Sequence, residues 1–143
     1  VSKLRIGEML VMAGLVEERD LRSALVEQTR RRVPVGKLLV ERGQVSEDDL
    51  ALLLGRQLGI EVIDLDHTTP EPAALARLAP EQARQLGLVP LKLADRAIDV
   101  ALAEPNDQVV AQLTLKLGLA VRPRICAASM LERALDRWYP RPA

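Results

Sequence analysis

The stretch RIGEMLVMAGLVEERDLRSALVEQ, residues 5–28, returns 29 residues later as PVGKLLVERGQVSEDDLALLLGRQ, residues 34–57. At that offset identity falls on Gly7/Gly36, Leu10/Leu39, Val11/Val40, Gly14/Gly43 and Val16/Val45, then on Glu18/Glu47, Asp20/Asp49, Leu21/Leu50, Leu25/Leu54 and Gln28/Gln57. Ten of the 24 pairs are identical, where composition alone gives roughly two. The first 57 residues are therefore an internal duplication. Each copy reads as a helical hairpin. A first helix ends at a glycine suited to the left-handed position past a helix C-terminus, Gly14 or Gly43. The second helix carries apolar residues at helical spacing, Leu21, Ala24 and Leu25 in one copy and Leu50, Leu53 and Leu54 in the other. Ser46-Glu47-Asp48-Asp49 has much of a capping box, and Pro34 suits the first turn of the third helix.

Beyond Gly59 the pattern changes. Residues 60–65 (IEVIDL) alternate like a strand, while Pro70–Leu78 and Pro80–Leu86 read as short proline-started helices. Residues 89–94 and 97–103 flank Asp95-Arg96 as an antiparallel hairpin, with Leu91, Leu93, Ile98, Val100 and Leu102 on its buried face. A helix is predicted from Pro105-Asn106-Asp107 to Leu117 with Gly118 as its cap. An edge strand over Val121–Ile125 and a closing helix over Ala127–Tyr139 follow. The fold class is α+β: a four-helix unit of two repeated hairpins over residues 1–58, then a small α/β unit with a hairpin-containing sheet over residues 59–143.

Composition narrows the function. The chain has 143 residues and is 48% hydrophobic, enough for a packed core. That core is aliphatic, for Trp138 and Tyr139 are the aromatic residues and phenylalanine is absent. Twenty basic residues balance twenty acidic ones, so no global field draws the chain to DNA or to a bilayer. A DNA-binding reading of the hairpins is disfavoured on the same ground. The single Cys126 reads as a buried apolar residue, and a cytoplasmic location is expected. No run reaches the ~20 apolar residues that span a membrane, so direct membrane insertion is not expected.

No catalytic set is present. His67 stands alone beside Asp64 and Asp66 and reads as a solvated loop residue, so no metal is expected. The VGKL of residues 35–38 lacks the first glycine and the hydroxyl of a phosphate loop. Two features of the repeat point to a ligand instead. Gln28 and Gln57 close equivalent apolar faces, three residues past Leu25 and Leu54. A half-buried amide needs hydrogen-bond partners, and these are either nearby carbonyls or a bound molecule. Arg5 stands in or before the first helical turn, where a cation opposes the helix dipole; it is either solvated or a clamp for an anion. Arg30-Arg31-Arg32 reads as a solvated helix end that can also lend charge at the junction of the hairpins. A duplicated surface of this kind suits a two-fold ligand with two anionic groups and two flat faces.

Both copies resemble the doubled motif of the MshE-type N-terminal domain of type II secretion and type IV pilus assembly ATPases. That motif begins Arg-Leu-Gly, carries an apolar pair and a glycine with a second apolar pair, and ends Leu-x3-Leu-x2-Gln, with a five-residue spacer. The first copy supplies Arg5-Ile6-Gly7, Leu10-Val11, Gly14-Leu15-Val16, Leu21, Leu25 and Gln28; the second supplies Pro34-Val35-Gly36, Leu39-Val40, Gly43-Gln44-Val45, Leu50, Leu54 and Gln57. The remainder is also similar, in IEVIDLD (60–66), LVPLKLADRAIDVALAEPND (88–107) and RWY (137–139).

The resemblance implies a non-catalytic regulatory domain that binds cyclic di-GMP and carries no other cofactor. It further implies an ATPase domain C-terminal to it in the parent protein and inner-membrane platform proteins as partners. The implied ligand-binding residues are Arg5, Ile6, Gly7, Leu10, Gly14, Leu15, Val16, Leu25 and Gln28 in the first copy. In the second they are Val35, Gly36, Leu39, Gly43, Gln44, Val45, Leu54 and Gln57. Of these, Arg5 and Gln28 are the implied polar contacts. The copy departs from the motif at Pro34, where the family has arginine, and at Gln44, where it has an apolar residue; Arg32 and Lys37 are the neighbouring cations. The alternative reading is a docking module of a secretion or pilus ATPase that binds no nucleotide.

Overall fold

The computed structural model describes residues 6–140. Two compact units divide between Gly59 and Ile60. In the first, α1 (Ile6–Met12) and α3 (Val35–Glu41) are seven-residue helices, and α2 (Glu18–Arg31) and α4 (Glu47–Leu58) are longer partners. Seven residues make too few internal bonds to persist alone. Both short helices are held by burial: Leu10, Leu39 and Ala24 are fully shielded from solvent, and Leu38 nearly so.

The hairpin ends differ between copies. Ser46 caps α4, its Oγ accepting the Asp49 N–H at 3.0 Å, whereas Glu17 at the matching position of α2 makes no side-chain cap bond. Pro34 stands one position earlier than the sequence suggests. It is the N-cap of α3 (φ −55°, ψ 140°), and its carbonyl accepts the Leu38 N–H at 3.2 Å. A residue at that position keeps extended backbone, which proline's fixed φ permits. At the C-terminus of α2, Arg32 takes the left-handed conformation (φ +53°) so that its N–H reaches the Gln28 carbonyl at 2.9 Å.

In the second unit β1 (Leu88–Ala94) and β2 (Ala97–Leu102) form the predicted antiparallel hairpin, closed at Ala94↔Ala97 around Asp95-Arg96. Irregular pairing between Pro90 and Lys92 follows from proline's missing donor. Leu91, Ile98, Val100 and Leu102 are buried and Leu93 half-buried. α7 (Asp107–Leu117), capped by the Asn106 side chain and by Gly118, crosses to β3 (Ala120–Ile125), which runs parallel to β2. The sheet order is β1-β2-β3, so Pro123 lies on an edge strand as its chemistry requires.

The strand expected over residues 60–65 is reduced to one bridge, Val62↔Ile125. Asp64 ends it: its carboxylate accepts the Asp66 N–H at 3.1 Å and opens a 3-10 turn over Leu65–His67. The first proline-started helix is also shorter than expected, α5 (Pro72–Leu75), because Pro72 rather than Pro70 fits its first turn; α6 (Pro80–Leu86) begins where predicted.

α8 (Ala128–Trp138) covers the core, which includes Leu88, Val89, Ile98, Val100, Leu113, Leu131 and Leu135. Three side chains tie its edges together. Arg84 donates to the Tyr139 and Leu135 carbonyls at 2.7 and 3.3 Å, the Tyr139 hydroxyl donates to the Leu75 carbonyl at 2.7 Å, and Arg133 grips Asp66 with two bonds of 3.1 and 2.8 Å. Cys126 is a buried free thiol whose pKa is pushed up to about 12 by desolvation, so it packs as a small apolar residue.

The unequal caps give paired outcomes in urea denaturation. Ser46→Ala lowers stability by about 1 kcal/mol through the lost cap. Arg32→Gly raises it by roughly 0.5–1 kcal/mol by relieving the left-handed strain.

Candidate functional site

The two hairpin turns are nearly identical. Gly14 (φ +75°) donates its N–H to Val11 at 3.0 Å, and Leu15 donates back to Leu10 at 3.0 Å; Gly43 (φ +74°) donates to Val40 and Gln44 to Leu39, both at 2.9 Å. This double bond set satisfies the last carbonyls of α1 and α3, and it needs a residue that tolerates positive φ. Val16 and Val45 then drop into the core at 6% and 7% exposure. Gly7 has a separate reason: a Cβ there would lie 2.5 Å from Leu21 Cδ1, so a side chain at this position would have to displace the end of the Leu21 side chain.

The residues singled out by sequence divide into two sets. Leu10, Val16, Val35, Leu39, Val45 and Leu54 are buried, as are Gly7 and Gly36. Gly14, Leu15, Leu25 and Gly43 are exposed, and Ile6, Gln28, Gln44 and Gln57 are half-buried. Arg5 lies outside the described residues. The copies diverge at Leu25, 40% exposed, against Leu54, 9% exposed. Gln44 carries a second peculiarity. Its Oε1 is shut from solvent and has no hydrogen-bond partner among the described residues, a costly state for a polar atom.

Charge gathers where α2 meets α3. Glu27 accepts from both Arg42 and Arg31, the latter at 2.8 Å, and Arg31 also reaches Glu41 at 3.0 Å. The Arg42 guanidinium first, and Arg31 second, hold the Glu27 carboxyl below the usual carboxylate range. Within the triple arginine, Arg31 is therefore committed to carboxylates, Arg32 shapes the turn, and Arg30 is exposed.

A groove of about 190 Å³ lies between the first turn and α4, lined by Ala13, Leu15, Asp49, Leu52, Leu53 and Arg56. Of these, sequence reasoning had singled out Leu15 alone as a ligand residue. Four of the others fall at non-identical pairs of the repeat, such as Ala13/Arg42 and Leu52/Ser23, and Asp49 falls at the identical pair Asp20/Asp49.

Other chemistry is lacking among the described residues. No group of three His, Cys, Asp or Glu side chains can hold a metal ion, and no helix is long and apolar enough to cross a membrane. His67 Nδ1 lies 2.6 Å from Asp64 Oδ2, which raises the imidazole pKa, and the side chain is solvated.

A family model for the MshEN domain matches residues 58–143. The chain belongs to the MshEN family. Relatives extend the likeness to both units. The type IV pilus assembly ATPase PilB of Myxococcus xanthus is 29% identical over 136 residues, which cover 94% of this chain and 24% of PilB. The chain thus spans about a quarter of that relative's length. A solved structure of MshE with cdg (cyclic di-GMP) superposes with a TM-score of 0.82 at 28% identity, covering 95% of this chain and 99% of that one. The N-terminal domain of XpsE superposes with a TM-score of 0.81 at 25% identity, covering 94% of each chain. The α+β architecture expected from the repeat is therefore the architecture of MshEN-family structures.

If the duplication is structural as well as textual, equivalent deletions cost the same. Leu10→Ala and Leu39→Ala should each lose about 2–5 kcal/mol and agree within ~1 kcal/mol in denaturant titrations, since both side chains are fully buried.

Proposed function

We propose that this chain is a regulatory domain that binds cyclic di-GMP across its two hairpin copies and performs no bond chemistry itself. The observation that carries this reading is the likeness to MshE with cdg, which spans 95% of the chain and so includes the duplicated unit. The near-identical turns at Gly14 and Gly43 add support, because a two-fold nucleotide is best met by two equivalent surfaces. In this reading Arg5 pairs with a phosphate, and Gln28 and Gln57 offer amides to the ligand. The exposed Leu15, Gly14 and Gly43 form its apolar floor, while Leu10, Leu39, Val16 and Val45 hold that floor in place from below. An aliphatic floor fits a chain with no phenylalanine. Pro34 supplies no charge to the second copy, and the exposed Arg32 and Lys37 beside it take that role.

The parent protein in this reading is a pilus or secretion ATPase, and the domain transmits nucleotide occupancy to it and to its membrane-platform partners. Exposed Leu25 and Val26 on α2, at 40% and 59%, favour a second, protein-docking use of the same unit.

Calorimetry of cyclic di-GMP into the folded domain tests the reading. Binding should be micromolar or tighter, giving clear heat at ~100 μM ligand. Arg5→Ala and Gln28→Ala should each weaken it by about 1 kcal/mol or more. A folded protein that yields no heat overturns the nucleotide reading and leaves docking.

A further inference from the structure

One face of the three-stranded sheet is open at its hairpin end. Paired residues on neighbouring strands share a face, and the register sets Lys92, Asp99 and Arg122 in one row across β1, β2 and β3. Ala94, Ala97 and Ala120 form the next row toward the turn. On β2 these positions alternate with Ile98 and Val100, which are fully buried. Lys92, Ala94, Ala120 and Arg122 are exposed and Ala97 is half-buried. The charges of the first row are unevenly used. Asp99, whose side chain is 14% exposed, accepts from Arg122 Nε at 2.7 Å and lies 3.7 Å from Arg124 Nη2. Arg124 is also engaged by Glu61 at 3.4 Å and by the Pro123 carbonyl at 3.0 Å. Arg122, 48% exposed, donates through Nε and keeps its Nη groups for a further acceptor. No carboxylate pairs with Lys92 among the described residues. Two cations with unused donors therefore flank one carboxylate that is already engaged.

We propose that this face docks an α-helix of a partner protein, laid across the strands with two carboxylates seven residues apart, one over Lys92 and one over Arg122. Charge complementarity and spacing argue for that occupant. β1 and β3 are separated by two strand spacings, roughly 9.6 Å, and seven helical residues rise about 10.5 Å. Residues seven apart also return to the same side of a helix, so both carboxylates face the sheet together. Asp99 stands midway in the row and repels a third carboxylate, so the helix is uncharged between the two. The one-carbon side chains of the alanine row leave the helix free to approach the strands on that side. A nucleic-acid strand fits less well, because its phosphates bring negative charge to the centre of the row as well as to its ends. The surface lies wholly within the second unit, and the inference is independent of the nucleotide reading.

The test titrates the whole chain at low salt with two alanine–glutamine peptides of the same composition and matched helicity. One carries glutamates seven residues apart and the other carries them four apart. Methyl signals of Ala94, Ala97 and Ala120 report on the surface. The seven-spaced peptide should shift them and bind about fivefold more tightly than its isomer, the scale of one exposed ion pair. Lys92→Gln removes an exposed cation without a carboxylate partner. It should cut that preference below about twofold and leave the melting temperature unchanged. Equal binding of the two isomers, or a preference that survives Lys92→Gln, overturns the proposal, since charge attraction without spacing then accounts for the binding. Methyl shifts with a single-stranded DNA oligomer or with phosphatidylglycerol vesicles, but with neither peptide, overturn it in favour of that class of partner. Methyls that move with none of these probes mark an ordinary solvated face and overturn it as well.

Discussion

Two seven-residue helices cannot hold themselves in water, and the first unit depends on how their ends are turned. In both, the chain passes through a glycine at positive φ, the next N–H returns to the leucine five residues back, and the following valine is buried. That closure fixes the orphan carbonyls, aims α2 and α4, and leaves Leu10 and Leu39 with no route to solvent. Four of the ten identical pairs, Leu10/Leu39, Val11/Val40, Gly14/Gly43 and Val16/Val45, build the turn.

Locality explains what could be read in the letters. The duplication, the turn glycines, the β1–β2 hairpin with its two-residue loop, and the helix from Asp107 to the Gly118 cap all follow from local chemistry, because each is decided within a few residues. The segment around Val62 is different. Its alternation is strand-like, yet the Asp64 side chain bonds two residues ahead and stops the ladder at one bridge. Pro34 shows a smaller failure: proline suits both the cap and the first turn, and only the backbone tells them apart. The opposite case is Arg32, where nothing in an arginine announces a left-handed residue.

The candidate site was legible in part. Identity between the copies drew attention to Leu10, Leu39, Val16 and Val45, and these are core. The groove is written in the differences instead. Ala13 stands against Arg42, Leu52 against Ser23 and Arg56 against Glu27, and each pair looks like ordinary surface drift until the helices are placed. Duplication supplies two equal frames; divergence at their rims makes them unequal.

Amide hydrogen exchange, followed residue by residue with and without saturating cyclic di-GMP, examines the duplicated surface as a whole. Exchange should slow at both turns, residues 14–16 and 43–45, and toward the Gln28 and Gln57 ends of α2 and α4. Slowing confined to residues 60–143, or a profile unchanged by the nucleotide, would contradict a ligand spread across the two copies.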